Sequence, residues 1–277
     1  MDKKILIRGV EFKYNSKDQY EKEGHVFCIN CDTQIDGRIL NILGKDVVVR
    51  NKCRCEIEKE KQYFDKDKEN RISILKSNCF DGIESLKKYR FDFNKSTNSK
   101  EEILGINYVN KFNQMIKENI GLLLYGNVGS GKTYLASCIA NGIIEKYIYE
   151  VNFRSIPQIV NDMEKRGFDI DKNYYINKLC SVKLLILDDF GIERKTEYIT
   201  EKLYEIINMR YIKKLPTIIS TNLSLKEIQN ETESISLKRI YSRILEMCIP
   251  IKIVAEDRRI IESKCKIEKA KKYLIDN

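Results

Sequence analysis

No apolar run in the 277-residue chain approaches the roughly 20 residues needed to cross a bilayer. The opening Met1-Asp2-Lys3-Lys4 leads into apolar residues only from Ile5 to Ile7, too few for the core of a secretory leader. A membrane span is thereby excluded on sequence grounds, and a cytosolic chain in a reducing compartment is expected. Nine cysteines in such a compartment are not read as a disulfide framework. Histidine occurs once, at His25, and there is no internal repeat. What is present can bury a sizeable core. With 42% hydrophobic residues, the length suits one large domain plus an appendage, or two modest domains. The net charge of +9 allows a polyanionic partner such as nucleic acid, and a Lys-rich solvated surface would give the same balance.

Residues 1–20 are charged and weakly patterned, and residues 25–56 hold four cysteines. From Glu56 to about Lys76 the pattern is charged and helix-compatible. Phe91 to Ser99 is polar and poor in core formers, so it reads as a linker. The expected organisation is a domain over 1–90, a linker over 91–100 and a second domain over 101–277. An amphipathic helix is expected over about 101–117, with Ile103, Tyr108, Phe112 and Ile116 at helical spacing. Strands are then expected at Ile120–Tyr125, Val151–Ser155, Leu184–Leu187, Thr217–Ser220 and Ile249–Val254. Helical patterns fall between them, at 132–149, 157–166, 173–180, 196–213 and 236–246. Alternation of this kind predicts an α/β fold with a five-stranded parallel sheet covered on both faces.

Gly126-Asn127-Val128-Gly129-Ser130-Gly131-Lys132-Thr133 fits the phosphate-binding pattern G-x-x-x-x-G-K-[ST] in full, and Tyr134 completes the stretch assigned to nucleotide. Glycines let successive backbone N–H groups turn inward around phosphate oxygens, where side chains would block the approach. The following helix start adds unpaired N–H groups and the positive dipole end. Lys132 is expected to reach the β- and γ-phosphates of ATP, and the Thr133 hydroxyl to ligate Mg²⁺. An apolar strand before the loop and a helix after it supply the context the motif requires.

Leu184-Leu185-Ile186-Leu187-Asp188-Asp189 offers the acidic partner that such a loop needs. Strand alternation would point the two carboxylates in opposite senses, so different roles are expected. Asp188 suits the Mg²⁺ water shell, and Asp189 the orientation or activation of the attacking water. Asn222, just after the fourth strand, falls at the C-terminal edge of the sheet, where open α/β sheets bind ligands. An amide there can sense the γ-phosphate. Arg239 and Arg243 lie four apart on one helix face, and Arg258-Arg259 follows the last strand. Each can stabilise transition-state charge, contact nucleic acid or simply face solvent, and the residues alone do not choose.

Cys28-x-x-Cys31 and Cys53-x-Cys55 form two close pairs about twenty residues apart. Four thiolates in a reducing compartment suit a closed tetrahedral Zn²⁺ site that stabilises a segment too small to fold on its own core. His25 could replace one of them.

As a set, Gly126–Thr133, Leu184–Gly191, Asn208-Met209-Arg210-Tyr211, Pro216 to Asn222, Arg239-x-x-x-Arg243 and Ala255 to Arg259 resemble the AAA+ ATPases of the DnaC/DnaI helicase-loader family. The resemblance covers about residues 100–265. It implies that Asn222 is sensor 1, that Arg243 ahead of Arg239 is an arginine finger acting on a neighbouring subunit, and that Arg259 is the sensor-2 arginine. It further implies side-by-side self-association, ATP as a timing switch, and loading of the hexameric replicative helicase onto single-stranded DNA. A zinc-bearing N-terminal domain in such loaders serves helicase binding. The helices between Pro157 and Cys180 match an extra helical element of that clade, where Lys165, Arg166 and Lys172 would touch a DNA backbone. Asp189 stands where AAA+ proteins usually carry glutamate, a feature the loaders share and one compatible with slow, switch-like hydrolysis. After Ile260 only a basic tail remains, so the C-terminal lid is expected to be truncated. Helpers of DNA transposition of the IstB type share the C-terminal motifs, and the cysteine-paired N-terminal region favours the loader. A third alternative is a nucleotide-binding adaptor that hardly hydrolyses ATP.

Overall fold

The computed structural model describes residues 2–81, 83–91, 99–165, 169–191, 197–231, 234–254, 267 and 270. The chain divides into two compact units, Met1–Asn70 and Arg71–Asn277.

The first unit is built from three β-hairpins. Strand β1 (Asp2–Ile7) pairs antiparallel with β2 (Val10–Asn15), β3 (Gln19–Lys22) with β4 (His25–Cys28), and β5 (Asp36–Ile42) with β6 (Lys45–Arg50). Each hairpin turns on two residues of positive φ, Arg8-Gly9, Glu23-Gly24 and Leu43-Gly44. Two successive positive φ values define the type I′ turn, whose twist matches that of the flanking strands. A small core gathers Ile7, Phe12, Tyr14, Val26, Ile35 and Val48. Beneath it the buried Asp36 carboxylate accepts the Val26 N–H at 2.6 Å and pairs with His25 Nδ1 at 2.7 Å. Burial pushes Asp36 up, but these hydrogen bonds and one from Gln34 outweigh it and hold the group below its ordinary value. Helix α1 (Arg54–Phe80) begins here and runs into the second unit.

The second unit alternates strands and helices: α2 (Lys100–Asn110), α3 (Phe112–Glu118), β7 (Gly121–Tyr125), α4 (Lys132–Tyr147), β8 (Val151–Ser155), α5 (Ile156–Glu164), α6 (Asp169–Ser181), β9 (Leu184–Phe190), α7 (Glu197–Lys213), β10 (Thr217–Thr221), α8 (Leu225–Gln229), α9 (Ile235–Met247) and β11 (Cys248–Lys252). The strands form one parallel sheet in the order β11-β7-β10-β9-β8. Alternate residues of its central strands feed two separate cores. Leu122, Leu124, Leu184, Ile186 and Ile218 pack with α4 on one face, while Leu123, Leu185, Leu187 and Ile219 pack with α5, α6, α7 and α9 on the other. That double burial is why the strands read as continuous apolar runs and not as alternating ones.

The helix expected over 101–117 is in fact two. The break at Lys111 (φ −106°) lets the fully buried Phe112 ring sit among Tyr108, Tyr147 and Tyr149. The end of α1 packs into the first of these cores through Cys79 and Phe80, and the segment after it through Leu86 and Phe91. The buried Asn141 of α4 fastens it by donating to the carbonyls of Leu86 and Tyr89, each at 2.9 Å. Phe91, expected at the head of a linker over 91–100, is thus buried, and Ser99 and Lys100 at its other end cap and begin α2; residues 92–98 lie outside the described residues, as does nearly all of the expected C-terminal lid. On the opposite face the fully buried Arg210 of α7 donates to the carbonyls of Cys180 (3.0 Å), Val182 (2.7 Å) and Pro216 and to Thr217 Oγ1 (3.1 Å). Burial lowers this guanidinium to about 10. It ties the ends of α6 and α7 to the start of β10. Among the described residues no helix is long and apolar enough to cross a membrane.

Candidate nucleotide site and cysteine cluster

The glycine-rich loop leaves the C-terminal end of β7 and enters α4, as the motif requires. Gly131 caps α4 at φ +95°, a conformation that a side chain would strain. At Gly126 (φ +150°) a Cβ would stand 2.4 Å from the Ile253 carbonyl oxygen, so this glycine lets the end of β11 lie against the loop. The Ile253 N–H extends that pairing by donating to the Tyr125 carbonyl at 2.8 Å. Lys132 is buried, and its Nζ donates to the carbonyls of Gly126 (2.9 Å) and Asn127 (2.7 Å), which hold the ammonium over the loop. Tyr134 turns away, its ring edge-on to Tyr89 at 5.1 Å.

The Thr133 hydroxyl donates to both Asp188 carboxylate oxygens, at 3.0 and 3.2 Å, joining residues 55 positions apart in the chain. Asp188 is buried, and desolvation pushes its carboxyl above the ordinary range against hydrogen bonds from Ser220 and Thr133. A buried carboxylate beside a threonine hydroxyl, at the mouth of a glycine-rich loop, is an oxygen donor set fitted to a hard divalent cation with phosphate. Asp189, half-buried, adopts the left-handed region at φ +56°. There β9 carries one residue more than β10, since Leu187 pairs with Ile219 and Phe190 with Thr221. The simple alternation expected for the two aspartates is therefore interrupted by a bulge. Ser220, absent from the sequence-based site, bridges it; a serine two places before Asn222 inside an apolar strand was the available signal. Asn222 lies one residue beyond Thr221, which pairs with Tyr125 on one side and Phe190 on the other. The sheet order thus brings Asn222 between the phosphate loop and the aspartates.

The arginines separate. Arg243 stacks on α7, its guanidinium 4.6 Å from the Tyr204 ring centre and 5.6 Å from that of Tyr211. Its Nη1 is buried with no hydrogen-bond partner among the described residues. Arg239, one turn earlier on α9, is exposed at the rim of a cavity of about 610 Å³ that also presents Glu197, Glu201 and Glu231. Arg258 and Arg259 lie outside the described residues, as does Arg166. Lys172 Nζ sits 5.7 Å from the Tyr198 ring centre.

In the first unit the sulfurs of Cys28, Cys31, Cys53 and Cys55 all lie within 4.8 Å of one another. A tetrahedron of 2.3 Å Zn–S bonds has sulfurs about 3.8 Å apart, so the cluster is compatible with a zinc site. Hairpin β3–β4 and its following turn deliver the first pair; Cys53 just before α1 and Cys55 in its first turn make the second. Arg54 clamps the two by donating to Cys31 O at 3.1 Å and Thr33 Oγ1 at 3.3 Å. The hydrogen bond from Thr33 lowers Cys31 to about 6, while the contact with Cys31 and then burial push Cys55 to about 12. Crowded thiols that resist joint ionisation are what a divalent cation would reconcile. His25 is engaged with Asp36 and is not needed as a fourth ligand.

Comparison with known proteins bears on the family and the fold. Residues 51–265 match the profile of the family described as IstB-like ATP binding protein. The chain is 30% identical over 148 residues to the replicative helicase loader DnaI of Bacillus subtilis (strain 168), covering 50% of this chain and 47% of that protein. It is 26% identical over 129 residues to the replicative helicase loader DnaC of Escherichia coli (strain K12), covering 44% of this chain and 52% of that one. The chain therefore spans about half the length of the curated relatives it matches. The crystal structure of the DnaC helicase loader superimposes with a TM-score of 0.53 at 26% identity, over 62% of this chain and 99% of that chain. The α/β fold with its five-stranded parallel sheet is the one this loader shares.

Proposed function

Because the chain belongs to the IstB-like ATP binding protein family, we propose that it is an ATP-dependent loader of the hexameric replicative helicase onto single-stranded DNA, with ATP as the timing switch. The observation that carries the ATP reading is the Thr133 hydroxyl resting on the buried Asp188 carboxylate. Lys132 binds the β- and γ-phosphates, and the loop N–H groups enclose them. Thr133 and Asp188 hold Mg²⁺, which when bound neutralises charge on the phosphate oxygens. Asp189 orients the attacking water and accepts its proton. Asn222 reads the γ-phosphate from the neighbouring strand. Arg243, and Arg259 beyond the last strand, supply positive charge, Arg243 to the nucleotide of an adjacent copy. Hydrolysis then waits on self-association, which suits a timer. Cys28, Cys31, Cys53 and Cys55 hold Zn²⁺ and shape the unit that grips the helicase.

A helper of DNA transposition is the second reading, favoured by the description of the family profile. Capture of purified replicative helicase by the wild type, Lys132→Ala and Cys28→Ser separates the two. Cys28→Ser should lose the helicase while still binding ATP, and Lys132→Ala should lose ATP while keeping the helicase. No capture by any form would sink the loader reading. Absence of ATP turnover by the wild type, with and without single-stranded DNA, would reduce the chain to a nucleotide-binding adaptor.

A further inference from the structure

We propose that Ser220 is a positioning residue of this site, its hydroxyl locking the Asp188 carboxylate and the Asp189 peptide to strand β10. The inference deepens the ATP reading and rests on it. Ser220 is fully buried, and it faces the place where β9 carries its extra residue. A serine hydroxyl has one donor and two acceptor sites, so it can serve two partners at once. Here it donates to Asp188 Oδ1 and accepts the Asp189 N–H at 3.1 Å. Asp188 is consequently gripped from both sides, by Thr133 of α4 and by Ser220 of β10. The next residue continues the clasp: Thr221 Oγ1 donates to the Phe190 carbonyl at 2.7 Å and accepts the Leu223 N–H at 3.1 Å.

Side-chain hydroxyls thus replace the ladder bonds that the bulge removes, and they hold Asp189 in its left-handed conformation. Aspartate tolerates that region better than longer acidic residues do, which gives a backbone reason for Asp189 in place of glutamate. Two residues beyond Ser220 comes Asn222. Through the clasp, the strand that carries the γ-phosphate reader also carries the registration of both carboxylates, so a displacement at Asn222 is felt by the metal carboxylate.

The test uses the full chain with Ser220→Ala and Ser220→Thr, a fluorescent ATP analogue bound in EDTA, and Mg²⁺ then titrated onto the complex. Turnover of ATP and the melting temperature are read in parallel. Ser220→Ala should bind the analogue in EDTA as the wild type does. It should lose about 10- to 100-fold in Mg²⁺ affinity and in turnover, the usual cost of removing the partner of a metal-facing ligand. Ser220→Thr keeps the hydroxyl and should retain both. Wild-type Mg²⁺ affinity in Ser220→Ala overturns the proposal, whether or not the melting temperature falls. Equal losses in Ser220→Thr would assign the effect to packing and overturn it too. A wild type that binds Mg²⁺ with ATP but never turns over sinks the ATPase reading alone, and the Mg²⁺ titration still decides the role of Ser220.

Discussion

The two units hold their shape by opposite means. Met1–Asn70 is assembled from neighbours in sequence: three hairpins, each closed by a two-residue turn, around a core of a few side chains and four thiols. Arg71–Asn277 is assembled across distance, with a parallel sheet whose adjacent strands are joined only through intervening helices and whose two faces carry separate cores. A unit of the first kind buries little, and below about 70–80 residues a single core rarely supplies more than a few kcal/mol, which a metal or similar staple commonly supplements. A unit of the second kind draws its stability from burial and spends some of it at the nucleotide site. Among the described residues no ion pair forms with the buried Asp188 carboxylate there, and a non-glycine residue is held at positive φ.

On the proposed zinc reading, that difference is broken most severely by removing the metal. Chelation should unfold the hairpins outright, since structural zinc contributes on the order of 10 kcal/mol to the fold it holds, while ATP binding by the larger unit survives. Amide spectra recorded with ATP titration before and after chelation check this, and unchanged hairpin signals would show that the four cysteines need no ion. The converse injury is Arg210→Met. It leaves the carbonyls of Cys180, Val182 and Pro216 without their donor, and should cost the larger unit about 3–5 kcal/mol in urea unfolding. The hairpins should be untouched. The smallest effect sharpens the comparison from the other side. Leu43 is 99% exposed and holds φ +52° at the β5–β6 turn, so its side chain contributes no packing to offset a strained backbone. Leu43→Asn should raise the melting temperature of the first unit, by the equivalent of about 0.5–1 kcal/mol, and leave the second unit unchanged. No rise would mean that the turn is not limiting.

The two units were also unequally legible. All five strands of the parallel sheet were visible as short apolar runs because burial on both faces removes the polar alternation that would blur them. The six strands of the first unit were not, since their turns are Arg-Gly, Glu-Gly and Leu-Gly, without the Asn-Gly or Asp-Gly that signals a type I′ hairpin. Phe91 looked like linker because polar residues follow it, yet it is buried against Gly105. The helix over 101–117 kept its period through Lys111, and only packing of Phe112 reveals the break.

By itself the sequence determined which groups are available: a phosphate loop between strand and helix, paired aspartates after an apolar run, four cysteines in two pairs. Those are matters of spacing, which a chain carries before it folds. Tertiary structure decided how the groups meet. It set Asp188 between hydroxyls 55 and 32 residues away, and put Asp189 on a bulge. It stacked Arg243 on tyrosines of another helix, and gave Gly126 a second task beside Ile253. Such contacts depend on strand order and register, which long-range burial fixes and local spacing does not encode.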